Sequence, residues 1–199
     1  MIFYEAHKLS GFQAFWHLCY YFPNEKTEFY SNKVIGFKRG GQSEIEFWEN
    51  WVAYDFLHSI FKTISFELVI RVLGHDELEA KDKRPLDVIG SRIAAVRDSV
   101  YKPDIIGKLR VNKKLSFINS KVERESELKD NYYMVDKSYK EFGGNVLIID
   151  DIKTSGTSML AIRELLTNEG FKGKVYGFSL AVTEKFDQGK NDDIEIPEK

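Results

Sequence analysis

Apolar positions along the chain switch repeatedly between helical and strand spacing. Residues 43–62 carry Ile45, Trp48, Trp51, Val52, Phe56 and Ile60 at intervals of three and four, which predicts an amphipathic helix. Residues 66–73 (FELVIRVL) form a β-rich apolar run stopped by Gly74, the pattern of a buried strand. Helical spacing returns over 86–101 through Val88, Ile89, Ile93, Ala94 and Val96. A short, fully apolar strand (VLII) is predicted at 146–149 after Gly143-Gly144. A helix follows over 158–168, closed by Gly170 in the C′ role, and then a strand over 174–182 (KVYGFSLAV). Buried strands alternating with helices predict an α/β fold: a doubly wound, mainly parallel sheet covered on both faces. In such sheets the ligand sits beyond the carboxyl ends of the strands.

The two ends depart from this alternation. The first thirty residues are crowded with rings, among them Phe12, Phe15, Trp16, Tyr20, Tyr21, Phe22, Phe29 and Tyr30. They are set apart as an N-terminal segment, 1–30, able to form a hood that stacks a base; packing into the core or against a second copy is the plainer use of the same rings. Residues 31–185 form the main domain. Residues 186–199 are polar and acidic with almost no apolar periodicity, which predicts a flexible tail. Trp48, Trp51 and Phe56 are expected in the core.

Composition narrows the function class without naming it. A single domain of 199 residues buries enough surface, roughly 70%, to stand without disulfide or metal staples. One cysteine, Cys19, excludes an internal disulfide and any zinc site built on paired cysteines; it is expected to be an inert buried thiol. No apolar run approaches a membrane span, and Glu5, His7 and Lys8 do not resemble a secretory leader, so a cytoplasmic compartment is expected. With 29 basic and 31 acidic side chains, nothing global calls for nucleic acid, and no helix-turn-helix or zinc ribbon is evident for reading a duplex. The basic stretch Lys102, Lys108, Arg110, Lys113, Lys114, Lys121 and Arg124 reads as a solvated face, or as a flap that closes over a polyanion.

Residues 146–158 (VLIIDDIKTSGTS) carry the chemistry. A buried strand runs into two consecutive carboxylates, Asp150 and Asp151, then into a hydroxyl-rich turn, and then into a helix start. Free amides at a helix N-terminus bind phosphate, and Gly156 lets the backbone approach closely. Thr154, Ser155, Thr157 and Ser158 add hydroxyl donors. Carboxylates accept hydrogen bonds from the vicinal hydroxyls of a sugar, or from water on a hard cation. Either half alone is ordinary, a helix cap or a solvated acidic pair; their direct junction points to a ribose 5-phosphate. It is not a P-loop, since no Gly-Lys-Ser/Thr closes it.

This segment resembles the phosphoribosyl-pyrophosphate (PRPP) signature of type I phosphoribosyltransferases, with Ser158 where the family usually has Thr. Further stretches are similar to the ComF-type, competence-associated branch. These are Val34 to Gly40 (VIGFKRG), Glu67 to His75 (ELVIRVLGH), Arg84-Pro85-Leu86-Asp87, Ser120 to Arg124 (SKVER) and Leu180 to Thr183. The resemblance covers about residues 31–184. Departures fall on the turn after the second strand: Arg71 and Leu73 replace two family prolines, and Pro85 and Asp87 replace Gly and Asn. A Cys-rich zinc element found in many relatives is absent.

The resemblance implies a transferase that binds PRPP with Mg²⁺, passes the phosphoribosyl group to a nitrogen acceptor and releases pyrophosphate. Asp150 and Asp151 would be the catalytic pair, holding the ribose hydroxyls and, through water, the metal. Thr154, Ser155, Gly156, Thr157 and Ser158 would hold the 5-phosphate. Arg71, Val72, Leu73, Gly74, His75 and Arg84 would serve the pyrophosphate. The alternative is a protein of the ComF type without turnover that senses PRPP or a nucleoside monophosphate, or serves DNA uptake as an adaptor. A homodimer and the identity of the acceptor stay open.

Overall fold

The computed structural model describes residues 4–5, 9, 11–25, 27–80, 83–113, 118, 120–136, 143–185, 190–192, 194 and 196. The strands are β1 (Tyr4–Glu5), β2 (Phe15–Tyr21), β3 (Leu68–Arg71), β4 (Val100–Tyr101), β5 (Ile106–Lys108), β6 (Tyr132–Met134), β7 (Val146–Lys153) and β8 (Val175–Thr183). The helices are α1 (Phe29–Lys38), α2 (Gln42–His58), α3 (Pro85–Arg97), α4 (Lys121–Leu128) and α5 (Thr157–Asn168). Six strands form one sheet in the order β1-β2-β8-β7-β3-β4, while β5 and β6 pair separately. All neighbours in the large sheet are parallel except the edge pair β1 and β2. The fold is therefore α/β with a mainly parallel sheet, as the alternating pattern predicts.

Two cores cover the two faces of the sheet. On one, α1, α2 and α3 bury Val34, Phe37, Trp48, Val52, Phe56, Ile89 and Ile93 against Leu147, Ile149, Phe178 and Leu180. On the other, Met159, Ile162 and Leu166 of α5 and the residues of β5–β6 pack on Ile70, Ile148 and Val175. Trp48, Trp51 and Phe56 are core residues as expected. Cys19 is buried and free, with its thiol pushed well up by burial and then by the Glu28 charge.

Several element limits differ from the sequence pattern. The helix predicted to 62 ends at His58, and residues 60–63 tighten into a 3₁₀ turn whose start is capped by the Ser59 hydroxyl. The helix predicted to 101 ends at Arg97, because Asp98 turns left-handed (φ 51°) and Val100–Tyr101 then pair with β3. Within residues 1–30, whose rings have core packing as their plainer use, Phe15–Tyr21 form β2, parallel to β8 inside the main sheet. Of the tail read as flexible, Asn191 is buried: its amide side chain bonds both the N–H (2.9 Å) and the C=O (3.0 Å) of Tyr20.

Candidate functional site

The carboxyl ends of β3, β7 and β8 bring the predicted residues to one edge of the sheet. β7 runs four residues beyond the apolar VLII run, since Asp150, Ile152 and Lys153 keep register with Ser179, Ala181 and Val182 of β8. Both carboxylates thus stand on the strand itself. Asp150 is half-buried and accepts the Asp151 amide at 2.9 Å. Burial, then the Asp151 charge, hold its carboxyl well above the ordinary range, against the pull of Lys38. Lys38, at the end of α1, lies 3.1 Å from each Asp151 oxygen. Burial lowers the Lys38 pKa, but the two aspartates outweigh it and the net shift is upward.

The hydroxyl-rich turn follows directly. Gly156 precedes α5 with φ 74°, and a Cβ there would stand 2.6 Å from Leu9 Cδ2. No side chain caps α5, so its first amides are not claimed in the way that a capped helix claims them. The Thr154 and Thr183 hydroxyls share a hydrogen bond of 3.0 Å, and those of Ser155 and Thr157 one of 2.6 Å. From β6, the buried Tyr132 hydroxyl faces the same corner. Burial and the Asp150 charge raise its pKa while Ser158 pulls the other way, which keeps the phenol neutral. Residues 150–158 thus run from the end of β7 through the turn into the start of α5.

The turn after β3 is arranged differently from expectation. Arg71 is fully buried: its Nη1 and Nη2 lie 2.8 and 3.0 Å from the Glu77 carboxylate, and its Nε lies 2.5 Å from Asp87. Burial lowers the guanidinium pKa, but the two carboxylates outweigh it, so the group stays charged and points into the protein. Arg71, expected to serve the pyrophosphate, is held by carboxylates of its own chain. Asp87 also accepts the Arg84 amide at 3.0 Å and the Tyr101 hydroxyl at 2.6 Å. The Gly74 amide donates to Glu77 Oε2 at 2.6 Å. Val72 and Leu73 are buried, whereas His75 is exposed. Arg84 reaches Asp76 at 2.8 Å, which lowers the Asp76 pKa.

The basic stretch is mixed: Arg110 and Lys113 are exposed, and Lys102 and Arg124 are half-buried. Lys108 is buried, with Nζ donating to the carbonyls of Leu73 (3.1 Å) and Gly74 (2.8 Å) and to Asn112 Oδ1 (2.7 Å). Burial depresses its pKa to about 8 in spite of Glu77, Asp76 and Asp150 nearby. Lys102 pairs with Asp136, Arg110 donates to the Glu127 carbonyl and Arg124 to that of Ile118. Lys114 lies outside the described residues, as does the Lys121 side chain.

Sequence reasoning missed Glu77, Tyr132 and the role of Lys108. Only Glu77 had a local signal, a carboxylate three residues after the glycine that ends a strand. Among the described residues no group of three or more His, Cys, Asp or Glu side chains could hold a metal. The hard oxygens of Asp150 and Asp151 suit Mg²⁺ that keeps several waters. A cation beside Asp150 would also favour its charged form. No helix among the described residues is long and apolar enough to cross a membrane.

The fold and the site together define an α/β protein whose ligand edge carries paired carboxylates beside an uncapped helix start. A solved structure of adenine phosphoribosyltransferase is similar to the chain at 14% identity with a TM-score of 0.34, the match covering 80% of this chain and 78% of that one. No protein-family model matches the chain, and no curated protein does.

Proposed function

We propose that this chain is a phosphoribosyltransferase-like protein that holds the ribose 5-phosphate part of PRPP or of a nucleoside monophosphate. The observation that carries this reading is the uncapped start of α5 behind Gly156, on the same strand end as Asp150 and Asp151. The α5 amides and the hydroxyls of Thr154 to Ser158 bind the 5-phosphate. Asp150 and Asp151 accept hydrogen bonds from the 2′ and 3′ hydroxyls, with Lys38 orienting Asp151.

With PRPP as ligand, the reaction is transfer of the phosphoribosyl group to a nitrogen acceptor. The C1–O bond to pyrophosphate breaks, the C1–N bond forms, and pyrophosphate leaves with the bonding electrons. Positive charge builds at C1, so the chain's contribution is positioning and electrostatic stabilisation by the carboxylates. When bound, Mg²⁺ supplies charge neutralisation of the leaving group. The second reading, a nucleotide-sensing protein without turnover, is supported by the engagement of Arg71 and the Gly74 amide with Glu77. Calorimetric titration of ribose 5-phosphate and PRPP with and without Mg²⁺, followed by pyrophosphate release over a panel of nucleobases, tests both. Binding with release supports the transferase, binding without release the sensor, and no binding of either ligand refutes the proposal.

A further inference from the structure

We infer that Glu77 is a specificity-determining residue that occupies the second anion seat of this site, so that the protein favours ligands with a single phosphate group over those carrying a diphosphate. The inference rests on the reading above, that the start of α5 holds a ribose 5-phosphate.

β3 and β7 are neighbours, and the Val72 amide bonds the Ile149 carbonyl at 2.9 Å. The turn that follows β3 therefore stands beside Asp150. A ligand anchored at α5 and extending along the edge of the sheet meets residues 74–77 next. At the α5 turn no side chain of the protein caps the helix. At the β3 turn the protein's own groups engage the Gly74 amide and the side chains of Arg71, Arg84 and Lys108. Glu77, 1% exposed, takes the Gly74 amide at 2.6 Å and both Arg71 Nη atoms at 2.8 and 3.0 Å. Asp87 takes Arg71 Nε at 2.5 Å, and Asp76 takes Arg84 at 2.8 Å. Lys108 is held by two backbone carbonyls and Asn112.

A carboxylate that receives a backbone amide and a two-pronged guanidinium has the same partners that a phosphate would have. A second phosphate group arriving here must therefore displace Glu77 from a buried, doubly bonded position. It also meets the Asp76 carboxylate on the solvent side. Displacing a well-paired buried charge is unfavourable, and like charges at close range add to the difference. A ligand whose far end is neutral avoids both.

The test is direct titration of the wild-type protein with ribose 5-phosphate, PRPP and inorganic pyrophosphate in the presence of Mg²⁺, then of Glu77→Gln. In the wild type, PRPP is expected to bind at least about threefold more weakly than ribose 5-phosphate, with pyrophosphate alone not measurable. In Glu77→Gln, PRPP affinity is expected to rise about tenfold or more relative to ribose 5-phosphate. Wild-type PRPP affinity equal to that of ribose 5-phosphate, less than about threefold below it, or above it overturns the inference while leaving the phosphate site intact. So does a folded Glu77→Gln with an unchanged ratio. Should Glu77→Gln fail to fold, the wild-type ratio decides alone. Absence of ribose 5-phosphate binding overturns the underlying reading and this inference with it.

Discussion

Lys38, at the end of α1, lies 3.1 Å from both carboxylate oxygens of Asp151, near the end of β7. It ties the helix that covers one face of the sheet to the acidic pair of the candidate site. The pair is partly open to solvent, with side-chain exposures of 43% and 25%. Its direct worth to stability is therefore small, and its main effect is to share the charge of two adjacent carboxylates. Lys38→Ala is expected to change stability by less than about 1 kcal/mol. It should raise Mg²⁺ affinity, because the carboxylates lose their internal counter-charge. Denaturant melts and a Mg²⁺ titration check both; a fall in Mg²⁺ affinity would count against a metal at this pair.

Removing the two acids tests the sugar side of the site. Asp150→Asn with Asp151→Asn is expected to weaken PRPP binding by more than about 2 kcal/mol, the scale of lost charge-assisted hydrogen bonds. Stability should change little, since the raised Asp150 pKa already marks that charge as unfavourable in the fold. Unchanged affinity in a folded double variant would falsify the assignment of the ribose hydroxyls.

Gly156→Ala addresses the phosphate side. The left-handed backbone (φ 74°) and the nearness of Leu9 both oppose a Cβ. A loss of about 1 kcal/mol or more in stability is expected. Ribose 5-phosphate affinity should fall about tenfold as the turn shifts. Calorimetry on the folded variant measures it, and an unaltered affinity would show that the turn does not form the cradle.

Asp55 predicts the pH dependence. It is fully buried in α2, beside Trp51. Burial pushes its carboxyl up to about 7 against a smaller pull from Trp51. A raised folded-state pKa means that the folded protein binds the proton more tightly than the unfolded chain. The contribution is fully present below about pH 4, where both states are protonated, and is lost as pH rises through about 7. The loss is on the order of 4 kcal/mol for a shift of this size. Asp55→Asn should flatten this part of the stability profile relative to wild type. Parallel urea melts from pH 4 to 8 check it, and profiles of identical slope would refute it.

Strands β3, β7 and β8, three of the six in the sheet, and helices α2, α3 and α5 are legible because apolar periodicity is a local signal. Val146 to Ile149 and Leu68 to Ile70 are buried on both faces, which a continuous apolar run announces. In 150–158 the carboxylates, glycine turn and helix start are consecutive and need no distant partner, although β7 carries both acids and runs on to Lys153. β2 is not legible: Phe15–Tyr21 is ring-rich without strict alternation, and its partner β8 begins at Val175. Pairing at that distance leaves no mark in a short window of sequence. The same holds for Asn191, whose side chain satisfies the backbone of Tyr20 from 171 residues away.

The alternation of strands and helices, the buried faces and the glycine-bearing turn before α5 are written in the sequence, because each follows from spacing within a dozen residues. Only the tertiary structure decided which charges are available at that turn. Lys38 finds Asp151 across 113 residues. Arg71 finds Glu77 and Asp87 when the turn after β3 folds back and the start of α3 is brought against it. An arginine at a strand end looks the same in sequence whether it faces a ligand or a carboxylate. Burial in a medium of low polarity requires that it be paired, and which partner does so depends on packing that no local pattern records.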